Sequence, residues 1–102
     1  MNETAQPQSA PVDPGEILRE EFLSPLGMSA NRLALALRVP ATRINDIANE
    51  RRGITADTAL RLARYFGTTA RLWMNVQASW ELEIADDRMG SAVSREVLPR
   101  TA

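Results

Sequence analysis

Thr42, Arg43, Asn45 and Asp46 stand in one short stretch of the chain, with Ala41 leading them. Together these side chains carry the chemistry that reads base edges. The Arg43 guanidinium is a fork matched to O6 and N7 of guanine. Thr42 brings a hydroxyl for a base or a phosphate and a methyl for thymine. Asn45 either pairs with adenine or turns toward the DNA backbone. Asp46 repels phosphate, so it points along the groove, accepts from cytosine, or steadies Arg43. A second set suits phosphate. Ser29, Ala30 and Asn31 place free backbone N–H groups at a helix start, which attracts anions. Asn49, Arg51 and Arg52 follow the base-reading stretch and can grip the opposite phosphate ridge, unless the two arginines only solubilise the surface.

Such side chains work only if a rigid element holds them away from the body of the protein. Leu33, Ala34, Leu37, Val39, Ile44 and Ile47 occur at the spacing that locks two short helices across a tight turn. That pair presents its second helix to a major groove. Ala34 falls at the crossing point, where a small side chain lets the backbones approach. Ser29 caps the first helix, Arg38-Val39-Pro40 forms the turn, and the second helix begins near Pro40 or Ala41.

Three further helices complete an all-α, five-helix chain. Asp13 and Pro14 open the first, with Glu16 placed for a capping box, Ile17, Leu18 and Phe22 as its stripe, and an end at Ser24-Pro25-Leu26-Gly27. After the loop Asn49 to Ile54, Thr55 caps a helix that buries Ala59, Leu62, Ala63 and Phe66 and stops at Gly67. Thr69 opens the last helix, which runs to about Asp87 with Leu72, Trp73, Val76, Trp80 and Ile84 along one broad face. Trp73 and Trp80 belong to a core or a dimer interface in preference to a ligand cage. Residues 1–12 read as a disordered tail, 13–90 as the domain, and 91–102 as a flexible tail after Gly90.

The totals bound the function. The 102 residues contain no cysteine and no histidine. Thiolate chemistry, cysteine or histidine metal sites and the usual general base are therefore missing, and neither a metal, a cofactor nor an enzyme is expected. No stretch approaches the roughly 20 apolar residues of a membrane helix, and the first residues lack a secretion signal, so a cytoplasmic protein is expected. The net charge of −1 conceals a polarity. Residues 29–72 carry eight arginines against three acids, whereas both flanks are net acidic. Glu16, Glu20 and Glu21 form either a solvated face or a landing site for a basic protein.

Several linked motifs over roughly residues 13–88 resemble the HigA antitoxin branch of the Xre/Cro-like, lambda-repressor-like family. They are Asp13-Pro14-Gly15-Glu16-Ile17-Leu18, Glu20-Glu21-Phe22-Leu23, Pro25-Leu26-Gly27, Arg43-Ile44-Asn45 and Arg52-Gly53-Ile54-Thr55-Ala56. Ala59 to Ala63 leading into Phe66-Gly67, and Leu72-Trp73-Met74-Asn75-Val76-Gln77, extend the likeness. The resemblance implies a homodimer on double-stranded operator DNA that represses its own operon and neutralises a small basic HigB/RelE-like toxin that cleaves messenger RNA. It implies a dimer interface at Leu72, Trp73, Val76, Gln77, Trp80 and Ile84, and toxin contacts at Glu16, Glu20 and Glu21. A stand-alone repressor and a protein-interaction adaptor are the alternatives. Two positions depart from the family pattern. Arg38 replaces the usual turn glycine, often held at positive φ, and Glu50 replaces a glycine beside Arg51 and Arg52.

Overall fold

A computed structural model describes residues 11–101. Most of the expected N-terminal tail, residues 1–10, lies outside the described residues. Five helices follow one another, with no strand among the described residues. Helix α1 is a composite: Pro14–Ile17 is α-helical, Leu18–Leu23 is a π turn, and Ser24–Leu26 is α-helical again. Pro25 explains the widening. It lacks an N–H to continue the ladder, and its ring crowds the carbonyl four residues back. The chain relaxes by bonding Ser24 N–H to the Arg19 carbonyl, five residues earlier. Gly27, at φ 60°, then closes the helix in the left-handed conformation that ends it cheaply.

Helices α2 (Ala30–Leu37) and α3 (Ala41–Ala48) form the expected locked pair. Leu33, Ala34, Leu37, Ile44 and Ile47 are all buried, and Val39 packs half-buried against them. Helix α1 crosses behind α3 at unusually short range. Pro14 and Gly15 are buried, and any Cβ on Gly15 would collide with the Ile47 carbonyl. Asp13 caps this end by accepting from Gly15 N–H at 2.8 Å. Helix α4 (Ala56–Phe66) lies against α2 and ends on Gly67 at φ 74°. Thr55 occupies its N-cap position without a side-chain capping bond, its hydroxyl instead meeting that of buried Thr58.

Helix α5 runs from Ala70 to Glu96, past the expected end near Asp87 and through Gly90. A single glycine costs a helix only about 1 kcal/mol relative to alanine, and Gly90 adopts no left-handed cap. The helix ends where Val97 turns extended at φ −106°, ψ 108°, two residues before Pro99, whose ring also keeps Leu98 from favouring the helical region. The expected flexible segment 91–102 is thus helical as far as Glu96.

Only the first turns of α5 enter the core. Trp73 is enclosed by Phe22 and Phe66, with ring centroids 4.9 and 6.5 Å away, and its indole N–H donates to Thr68 Oγ1 at 2.8 Å. The rest of the helix leaves the globule. The radius of gyration, 17.0 Å, exceeds the roughly 13 Å of a compact 100-residue domain for that reason.

Candidate nucleic-acid interface

Helix α3 buries Ile44, Ile47 and Ala48 and turns its other residues outward. Ala41 and Thr42 in its first turn are exposed, and Arg43, Asn45 and Asp46 are partly so. The side chains expected to read bases therefore share the outer face of one short helix. Several are already engaged. The Arg43 guanidinium pairs with Asp57 on the first turn of α4. Asn45 Nδ2 donates to the Ala41 carbonyl at 2.9 Å and to Asn31 Oδ1 at 2.7 Å, tying α3 to α2. Asp46 takes neither Arg43 nor solvent alone; it holds Arg51 at 3.4 Å and Arg52 at 3.5 Å.

The phosphate set divides in two. Ser29 Oγ accepts from Arg32 N–H at 3.1 Å, which leaves the N–H groups of Ala30 and Asn31 beyond the ladder of α2. Asn49, Arg51 and Arg52 are exposed just after α3. They form the rim of the same face, the two arginines oriented by Asp46.

Both glycine replacements adopt the conformation that favours glycine. Arg38 lies at φ 63°, ψ 44°, and Glu50 at φ 63°. At Arg38 the left-handed residue lets Val39 N–H reach the Ala34 carbonyl, so the tight turn keeps its form. Glu50 does not crowd Arg51 or Arg52. Its carboxylate pairs with Arg19 of α1 at 3.1 Å.

Four residues outside the expected set position this face. Arg19 donates to the Ala48 carbonyl at the end of α3 while pairing with Glu20 and Glu50, and these carboxylates raise its pKa further above an already high value. Arg61 contacts both carboxylate oxygens of Asp57 at 3.2 Å and donates to the Leu37 carbonyl at 2.9 Å. Asp57, bonded by Arg43 and Arg61, has its carboxyl pKa lowered. Gln77 accepts from Ile54 N–H at 2.7 Å and donates to Glu81 at 2.6 Å, fastening the loop that carries Arg51 and Arg52 to α5. The only sequence signals for the first three were charges on otherwise unremarkable helix faces.

Gln77 also corrects an expectation, as does Trp73. Both were expected at a dimer interface, but they are 6% and 1% exposed within the single chain. Their polar atoms are committed to Ile54, Glu81 and Thr68, so they belong to the interior. Of the remaining interface residues, Leu72 is exposed, and Val76, Trp80 and Ile84 are half-exposed along α5. Glu16, Glu20 and Glu21 are exposed on α1, though Glu20 is paired with Arg19. Among the described residues no group of three or more potential metal ligands converges, and no helix is long and apolar enough to cross a membrane.

A helix-turn-helix family model matches residues 18–73, which contain all of α2, α3 and α4. Virulence-associated protein I of Dichelobacter nodosus is 59% identical over 75 residues, covering 74% of this chain and 69% of that protein. Antitoxin HigA-1 of Vibrio cholerae is 37% identical over 73 residues, covering 71% of this chain and 68% of that one. Antitoxin HigA of Pseudomonas aeruginosa, solved with the higBA promoter, superposes with a TM-score of 0.86 at 47% identity, over 89% of this chain and 99% of that one. On sequence, fold and helix order alike, the chain belongs to the HigA antitoxin branch of the Xre-like helix-turn-helix family.

Proposed function

We propose that this chain is a cytoplasmic antitoxin that binds the operator of its own operon as a homodimer and represses it by occupying the promoter. The observation that carries this reading is the outer face of α3. Ile44 and Ile47 anchor the helix in the core, and that anchoring leaves Ala41, Thr42 and Arg43 on the free side of its first turn. One helix of this length contacts too few bases for tight binding, so two copies are needed, with recognition helices about 34–36 Å apart on successive major grooves. The projecting part of α5 is the natural place for that pairing. Leu72 and Val76 lead into it from the first turns, and along it Trp80 and Ile84 are half-exposed while Leu82, Met89 and Val93 leave apolar surface exposed. Relatives named as antitoxins support a second partner, a small basic HigB/RelE-like toxin that cleaves messenger RNA. The acidic face of Glu16, Glu20 and Glu21 suits its charge.

The test is fluorescence anisotropy on the DNA upstream of its own reading frame, beside a shuffled duplex, at two salt concentrations. A tighter, sequence-dependent complex that Arg43→Ala weakens by about 1–3 kcal/mol is the expected result. Equal affinity for both duplexes would refute it and leave a protein-interaction adaptor. Co-expression with the neighbouring reading frame tests the toxin: a stable complex with a basic protein supports the antitoxin role, and its absence leaves a stand-alone repressor.

A further inference from the structure

We propose that Asp57 is a specificity-determining residue that acts through Arg43, keeping the recognition arginine off the phosphates of DNA that lacks the operator sequence. This rests on the reading that the chain binds operator DNA.

An unrestrained arginine on a DNA-facing helix finds a phosphate on any sequence, which adds affinity without discrimination. Arg43 is not unrestrained. One terminal nitrogen of its guanidinium is held by the Asp57 carboxylate, which comes from a different helix. Asp57 in turn is bound through both oxygens by Arg61, and Arg61 is fixed to the Leu37 carbonyl. The result is a relay from the end of α2, through two side chains of α4, to the first turn of α3. The backbone carbonyl at one end and the contribution of three helices make it a frame and not a chance surface pair.

The chemistry of the fork gives the relay its consequence. A guanidinium has five N–H donors in a fixed plane, and Asp57 uses one terminal nitrogen. The remaining edge can still meet guanine O6 and N7 while the Asp57 contact stays in place, so operator binding breaks nothing. A phosphate reached by swinging the side chain away forfeits the carboxylate it leaves. That exchange of one anion for another gains little. Asp57 is 54% exposed on its side chain and Arg43 28%, so the pair sits at the rim where DNA would compete for it.

Asp57→Asn in the full chain, compared on operator and shuffled duplexes across a salt series, tests this. The operator-to-shuffled affinity ratio should fall roughly fivefold or more. On shuffled DNA, the salt slope should steepen by about 0.9, the signature of one added phosphate contact. Removing an acid also raises the net charge, so the same substitution is made in an Arg43→Ala background. There the ratio should change less than about twofold, because the residue through which Asp57 acts is gone. An unchanged or higher ratio in the single variant, or an equal fall in the Arg43→Ala background, would overturn the proposal. If the unsubstituted protein shows no operator preference, the functional reading falls as well. If it shows a preference that Asp57→Asn preserves, this inference alone falls.

Discussion

Gln77 offers the sharpest contrast between a residue of the interior and a residue of a dimer interface. Its amide oxygen satisfies the Ile54 N–H, a buried donor with no nearby solvent, since Ile54 is 3% exposed. Gln77→Met keeps nearly the same volume and removes that acceptor. Stranding a buried backbone N–H costs about 1–3 kcal/mol, and about 2 kcal/mol is the expected loss here. For a domain of this size that corresponds to a fall of about 10 °C in Tm. Circular dichroism melts at two protein concentrations tenfold apart supply the measurement. A residue of the interior gives the same fall at both concentrations, whereas an interface residue gives a loss that grows on dilution. Gln77→Glu adds a second arm. It still accepts from Ile54 but meets the carboxylate of Glu81, which now accepts from Gln77 Nε2 at 2.6 Å. Combining it with Glu81→Gln restores a donor facing an acceptor and should recover part of the stability. A Gln77→Met shift below about 2 °C, or one confined to dilute protein, would refute the placement.

Gly15→Ala forces a methyl onto the backbone carbonyl of Ile47, which cannot rotate away; a loss of about 1–3 kcal/mol in urea unfolding is expected, and an unchanged midpoint would contradict the close crossing of α1 and α3. Arg38→Gly relieves a left-handed residue worth on the order of 1 kcal/mol, offset in part by the looser unfolded chain, so stability should hold or rise by up to about 1 kcal/mol. A fall of that size would show that the Arg38 side chain matters more than its backbone. Asp57 has a lowered folded pKa, so its ion pairs stabilise the protein above its unfolded pKa, and that contribution fades as pH falls through the lowered folded value. Carboxyl NMR should place its midpoint below the ordinary aspartate range, and Arg43→Ala should raise it; a midpoint indifferent to Arg43 would refute the pairing.

Apolar periodicity made the locked helix pair legible, because Leu33, Leu37, Ile44 and Ile47 have one way to be buried together. Gly27 and Gly67 marked true helix ends, since each takes the left-handed conformation. Gly90 misled, because glycine in a helix is a modest cost and not a stop, and the helix runs on to Glu96. Trp73 and Gln77 share the helical spacing of Val76, Trp80 and Ile84, and spacing alone does not separate a face toward the protein's own core from a face toward a partner. The ion pairs were illegible for another reason. Arg43 with Asp57, and Arg19 with Glu50, are 14 and 31 residues apart, and their meeting depends on where whole helices pack.

Those pairs change what the arginine-rich centre means. Each of its three acids, Asp46, Glu50 and Asp57, carries at least one arginine partner, and Asp46 and Asp57 carry two each. Exposed pairs of this kind add little to stability because water and salt screen them, so folding does not require them. Their effect is on position. The three arginines expected to face DNA, Arg43, Arg51 and Arg52, already have a carboxylate, and a phosphate must replace or join it before any energy is gained. On the proposed reading, raw positive charge is thereby converted into directed donors, and attraction to arbitrary DNA is damped along α3. On the proposed dimeric reading, affinity then comes from placing two such faces in register, with α5 setting that geometry. The loop of Arg51 and Arg52 is bonded to that helix through Gln77, so under the proposed pairing a change in how two copies of α5 meet would reach the proposed phosphate rim through this bond.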